Sequence, residues 1–294
     1  MNTFKMHKSD FSEDKWLYEI TPKNKFLSLN LKEVWRYRDL LFLFVKRDIV
    51  TVYKQTVLGP LWYLIQPLFT SITFTIIFNN VAGISTGSIP PFLFNLAGIM
   101  VWSYFTSCLN ATSDTFRANA GMFGKVYFPR LIVPISVVIS NLVKFLIQFA
   151  IFIAFYFYYV MKGTVIQFNE SVFLFPLLIM VMGILGLGLG MLISSLVTKY
   201  RDFSYLVGFG VQLLMYVSAV MYPMALIKMK MPSLAWLVQY NPLAYIIETS
   251  RYMLLGVGDV SLFGVLFVVA ITTFVFLFGL LTFNKTEKSF IDTV

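Results

Sequence analysis

Six apolar runs, each long enough to cross a hydrocarbon layer as a helix, govern what this chain can fold into. They fall near residues 58–80, 91–113, 131–160, 172–197, 204–222 and 260–283. A core of roughly 30 Å takes about 20 helical residues, and lipid demands that each span satisfy its own backbone, which helices do. With 58% of residues hydrophobic and 13% charged, the chain carries more apolar surface than a soluble domain buries. The reading is an all-α membrane protein with six transmembrane helices in 58–283. A polar tail covers 1–30, an amphipathic interfacial helix 31–57 and a C-terminal tail 284–294. Residues 1–57 lack an apolar core with a cleavage site, so no signal peptide is expected.

The net charge of +9 is a topology signal rather than a nucleic-acid signal. Of 23 Lys and Arg, 18 lie in the first 57 residues, in the 114–130 and 198–203 loops and after residue 283. The alternate loops hold 4, counting Lys162, Lys228, Lys230 and Arg251. The positive-inside rule therefore puts both termini in the cytoplasm.

Before the first span, Leu31, Trp35, Phe42, Val45, Ile49 and Val52 recur at helical spacing, with Lys32, Arg36, Asp39, Lys46 and Lys54 largely opposite. Such a helix lies in the headgroup plane, as an anchor or as a gate at the cytoplasmic mouth. Residues 223–259 are broken by Pro223, Pro232 and Asn241-Pro242 into pieces too short to cross, which reads as short re-entrant helices between spans five and six. Gly183, Gly186, Gly188 and Gly190 in span four are read as sites of close helix packing. No internal repeat is evident.

Catalytic and metal chemistry find little to work with. One cysteine (Cys108) and one histidine (His7, in the polar tail) give neither a ligand cluster nor a nucleophile with its base. Gly121–Val126, the nearest approach to a phosphate loop, lacks both the glycine spacing and the hydroxyl after the lysine. The spans hold no carboxylate beyond Asp114 at the end of span two, which disfavours a proton-coupled carrier. Lys144 is the one clear intramembrane charge. It is read as snorkelling or meeting a backbone carbonyl, or else as touching an anionic substrate.

The cytoplasmic loops carry the specific signal. The first reads N-A-G-M-F-G-K-V-Y-F-P-R from Asn119 to Arg130 and the second T-K-Y-R-D-F from Thr198 to Phe203. With N-P-L at Asn241–Leu243 followed by Arg251, these stretches resemble the permease subunits of ABC polysaccharide exporters, which move O-antigen, capsule and teichoic acid chains. The sequence departs from that pattern at Met122 and Phe123, where the family usually has Leu-Ile, and at Lys144, where an acidic residue is common.

The resemblance implies a permease with no cofactor of its own in the bacterial inner membrane, working as two copies of this chain with two separate ABC ATPases that bind ATP and Mg²⁺. Its cargo would be an undecaprenyl-linked polysaccharide. ATPase coupling falls to Phe116, Arg117, Met122, Phe123 and Lys125, in a short helix near 114–123, and to Tyr200, Arg201 and Asp202. An ordinary charged loop and a surface ion pair are the competing readings. Trp62, Tyr63, Phe69, Tyr205, Phe209 and Tyr216 are candidates to line the path, by stacking on sugar rings or else by packing against lipid. Trp236, Tyr240 and Tyr245 are candidates for an outer gate, or for an interfacial aromatic belt. A permease for another lipid or a drug is the alternative in the same class. A membrane glycosyltransferase is the alternative in another.

Overall fold

A computed structural model describes residues 31–54, 59–167, 169–200 and 202–291. The polar tail 1–30, the end of the C-terminal tail at 292–294 and the coupling candidate Arg201 lie outside the described residues. Every regular element among the described residues is helical.

Helices α1 (Leu31–Arg36) and α2 (Arg38–Lys54) form one rod, since Tyr37 N–H donates to Glu33 and Leu41 N–H to Tyr37 across the break. Asp39 in the first turn of α2 and Lys54 in the last complement its dipole. The single apolar stripe expected here is two faces. Trp35 and Phe42 stay exposed, in keeping with an interfacial helix, but Val45 is buried, and Leu41 and Phe44 are buried against the start of α7 (Ile132–Met161). Phe44 meets Phe128 edge-on at 5.8 Å.

Among the described residues five helical segments are long and apolar enough to cross a membrane: Trp62–Val81, Pro91–Ser113, Ile132–Met161, Glu170–Lys199 and Leu262–Glu287. The first comprises α3 (Trp62–Phe74) and a π-helical turn, Thr75–Val81. Buried Asn95 secures that turn by donating to Thr75 Oγ1 (3.1 Å) and Asn79 Oδ1 (2.9 Å). α4 (Pro91–Ser113) is the centre of the bundle, with Leu93, Ala97, Met100, Phe105 and Cys108 fully buried.

α8 (Phe175–Lys199) sits between α4 and α13 (Leu262–Ile291), and its glycines permit that position. A Cβ on Gly188 would lie 2.8 Å from the Phe276 Cα, and one on Gly186 would lie 3.0 Å from the Cys108 Cβ. Without a hydrophobic drive between helices in lipid, such backbone approach supplies the van der Waals contact that holds them.

The fifth apolar run, 204–222, is not continuous helix. It gives α9 (Phe203–Val217), whose 15 residues reach about 22 Å. Ser218–Tyr222 then turns, with Ala219 at φ +52°, the only non-glycine among the described residues with positive φ. The proline-broken segment folds as α10 (Met224–Lys230), a 3-10 turn, α11 (Ala235–Gln239) and α12 (Pro242–Leu255). Asn241 caps α12 by accepting from Leu243 N–H at 2.9 Å, Pro242 occupies its first turn and Gly256 closes it at φ +69°.

Candidate coupling surface, translocation path and outer mouth

Asn119 breaks the helix expected over 114–123 into two single turns, α5 (Thr115–Ala118) and α6 (Ala120–Phe123). Two of the residues expected to meet a partner face inward. Phe116 is 1% exposed and stacks on Phe283 of α13 at 4.6 Å. Phe123 is buried between Phe116 and Phe128, with the Arg130 guanidinium 5.1 Å above its ring. Met122 is partly buried beside them. Hydrophobic side chains in a short polar loop find the nearest core, which here belongs to the same chain.

The exposed groups are Arg117, Lys125, Val126 and Tyr127, the last at 91%. Asp114 bonds Arg117 Nε at 2.6 Å and raises the guanidinium's pKa. Arg130, at the end of the K-V-Y-F-P-R stretch, turns inward and donates to the Glu287 carbonyl at 3.0 Å. Burial lowers its pKa and the Glu287 carboxylate opposes that. The loop is thereby fastened to the last turns of α13. In the loop between α8 and α9 Tyr200 and Asp202 are exposed, with Tyr200 6.0 Å from Phe203.

Of the path candidates, Trp62, Phe69, Tyr205, Phe209 and Tyr216 are exposed on the single chain. Tyr63, adjacent to Trp62, turns toward α7: its carbonyl accepts from Gln148 at 3.1 Å and its ring lies 5.2 Å from Lys144 Nζ. Helix α9 fully buries none of its residues: Val207, Val211, Leu214 and Met215 pack partly against the core, while Leu206 and Leu213, beside the tyrosine face, are exposed as well.

At the outer candidates, Tyr245 is fastened by its hydroxyl, which donates to the Ser261 carbonyl at 2.8 Å, while its ring covers Gly264. Trp236 and Tyr240 are exposed. Arg251 is the residue whose place the charge pattern misread. It is not in a loop but wholly buried in α12, and Glu248 one turn earlier is 2% exposed. Lys144 therefore does not stand alone as a charge inside the bundle.

Arg251 Nη1 donates to the Ala219 carbonyl at 2.8 Å, Nη2 to the Val220 carbonyl and Nε to the Phe94 carbonyl at 3.4 Å. The Glu248 carboxylate lies 3.7 Å away. A buried guanidinium needs this many acceptors to offset its lost hydration. The signal was available: Asn-Pro, a glutamate and an arginine at i,i+3 among apolar neighbours, then glycine, spells a capped and buried helix.

Long apolar helices around a central span, polar loops at one end and a proline-broken segment at the other define a polytopic transport-type membrane protein. The ABC-2 type transporter family model matches residues 39–255, and the chain belongs to that family. Among its relatives, two O-antigen export system permease proteins RfbA of Klebsiella pneumoniae are similar. One is 30% identical over 270 residues, covering 90% of this chain and 99% of the relative. The other is 28% identical over 255 residues, covering 86% and 94%. The polysialic acid transport protein KpsM of Escherichia coli is 27% identical over 261 residues, covering 87% and 95%.

Proposed function

We propose that this chain is the transmembrane permease subunit of an ATP-driven exporter of a lipid-linked polysaccharide in the bacterial inner membrane. Two copies assemble with two separate ATPase subunits, and both termini lie in the cytoplasm. The observation that carries this reading is similarity to polysaccharide export permeases along nearly the whole chain. It is supported by a sequence without a phosphate loop, so that hydrolysis falls to a partner.

In this scheme Arg117, Lys125, Val126 and Tyr127, with Tyr200 and Asp202, meet the ATPase, while Phe116 and Phe123 hold that surface to the bundle. Closure of the ATPases moves the loop, and Phe116–Phe283 and Arg130–Glu287 pass the motion to α13 as a rigid body. The exposed aromatic faces of α3 and α9 from two copies enclose the path, with Trp236 and Tyr240 at its outer mouth. Weak aromatic stacking lets a hydrated glycan slide where a dense set of hydrogen bonds would hold it.

Deleting the gene in its host tests the reading. Surface polysaccharide should be lost while polymer accumulates inside, and restoring the chain should reverse both. Unchanged surface polysaccharide would contradict it. Transferase activity in the purified chain would favour the glycosyltransferase alternative.

A further inference from the structure

Helix α7 is apolar on most of its surface, yet Ser140, Asn141, Lys144 and Gln148 form a stripe at spacings of one, three and four. Polar side chains on one face of a span line protein or water rather than lipid. Here that face borders a cavity of about 410 Å³, within the range of small-ligand pockets. Arg47 and Asp48 of α2 form a second wall, and Asp114 and Asn119 the cytoplasmic end. Ser140 Oγ reaches Asp48 Oδ2 at 3.4 Å, joining the interfacial helix to the span.

Two cations, Arg47 and Lys144, and two carboxylates, Asp48 and Asp114, line this cavity, and both carboxylates are already bonded to an arginine. Asp48 is taken by Arg47 at 2.8 Å and Asp114 by Arg117 at 2.6 Å. Lys144 has no carboxylate within 4.0 Å among the described residues; its ammonium donates to Asn141 Oδ1 at 2.8 Å and lies over the Tyr63 ring. The ammonium lies about 18 Å along α7 from its start, bonded to one neutral amide and over an aromatic face; the carboxylate that acts on it across the cavity is Asp48, which Arg47 already bonds. The Cα–Cβ bonds of α7 tilt toward its N-terminus, so the side chain leans toward the Arg47 end of the cavity.

We propose that this cavity binds the phosphate of a lipid headgroup, with Lys144 as its cation. The lipid's apolar tail stays in the bilayer and its phosphate enters between α2 and α7. Two lipids share this chemistry, an anionic phospholipid of the bilayer and the diphosphate-bearing carrier of the proposed cargo. The second source rests on the functional reading above; the binding itself does not.

Native mass spectrometry of the purified full-length chain tests it, with dioleoyl phosphatidylglycerol, undecaprenyl diphosphate and phosphate-free dioleoylglycerol as probes. Wild type should retain one or both phosphate lipids and not dioleoylglycerol. Lys144→Gln should weaken that retention about tenfold or more, the loss of one charge-assisted bond. Lys144→Arg should restore it and Lys162→Gln, at the far end of α7, should not change it.

Val137→Trp keeps the charge but fills the cavity, so it should also release the lipid should Lys144→Gln fail to fold. Whichever phosphate lipid binds more tightly identifies the source. Retention of both by Lys144→Gln or Val137→Trp at wild-type strength, or equal retention of dioleoylglycerol by wild type, would overturn the proposal. Neither ATP hydrolysis nor export enters the readout, so its failure is separate from failure of the exporter reading.

Discussion

Phe116 in the polar loop after α4 stacks on Phe283 of α13, ring centroids 4.6 Å apart and planes inclined by 27°. Between them lie 166 residues of sequence, yet this contact sets where the loop sits. Because Phe116 is buried, Phe116→Ala should cost on the order of 3 kcal/mol of stability and lower the melting temperature in detergent. Phe123→Asp should fail similarly, by placing a carboxylate among rings.

Uncoupling is better sought at the exposed residues. Arg117→Glu combined with Tyr127→Asp should leave melting nearly unchanged while ATPase assembly weakens and export per ATP falls by about tenfold, the size of a typical coupling energy. Wild-type export by that double variant would remove this surface from the coupling route.

Arg251 gives a second test. Arg251→Met strands the Ala219 and Val220 carbonyls and leaves Glu248 buried without its cation, and breaking a buried pair this way costs about 3–5 kcal/mol. Arg251→Lys should recover little, since an ammonium lacks the fork that reaches three carbonyls. Gly98→Ala should destabilise through the same group, because its Cβ would meet the guanidinium. Thermal unfolding followed by tryptophan fluorescence measures all three, and wild-type melting of Arg251→Met would contradict the assignment.

Much of this fold was legible because lipid leaves so few choices. Runs of apolar residues bounded by polar loops gave five helices long enough to span near their expected positions. Asn241-Pro242 and Gly256 marked the ends of α12 by the chemistry of capping. What escaped was set by partners distant in sequence. The 204–222 run reads as a span by hydropathy alone, and its helix stops at Val217 because Arg251 takes up the carbonyls of the turn beyond. Phe116 and Phe123 looked like exposed anchors because no local pattern reveals that Phe283 and Phe128 cover them. Arg251 was counted as a loop cation because a charge tally ignores its neighbours, although its i,i+3 carboxylate and apolar surroundings were in plain view.

The path assignment separates from lipid packing only through the second copy, since the Tyr205–Phe209–Tyr216 face of α9 and its neighbouring Leu206–Leu213 edge are both exposed on one chain. Replacing Tyr205, Phe209 and Tyr216 by Ala should change glycan-stimulated ATP hydrolysis several-fold or admit small solutes, whereas Leu206→Ala with Leu213→Ala should do neither. Solute leak and hydrolysis in reconstituted vesicles measure this, and equal, negligible effects from both sets would show the faces are wrongly assigned.

In the proposed function this chain moves a finished lipid-linked polymer with energy supplied by another subunit. Its most direct measurement is polymer transfer across vesicles reconstituted with the purified chain, with and without its ATPase. ATP-dependent appearance of undecaprenyl-linked polysaccharide in the far compartment is expected only when both proteins are present. Transfer that needs neither ATP nor the ATPase, or lengthening of the polymer by this chain alone from nucleotide sugars, would contradict it.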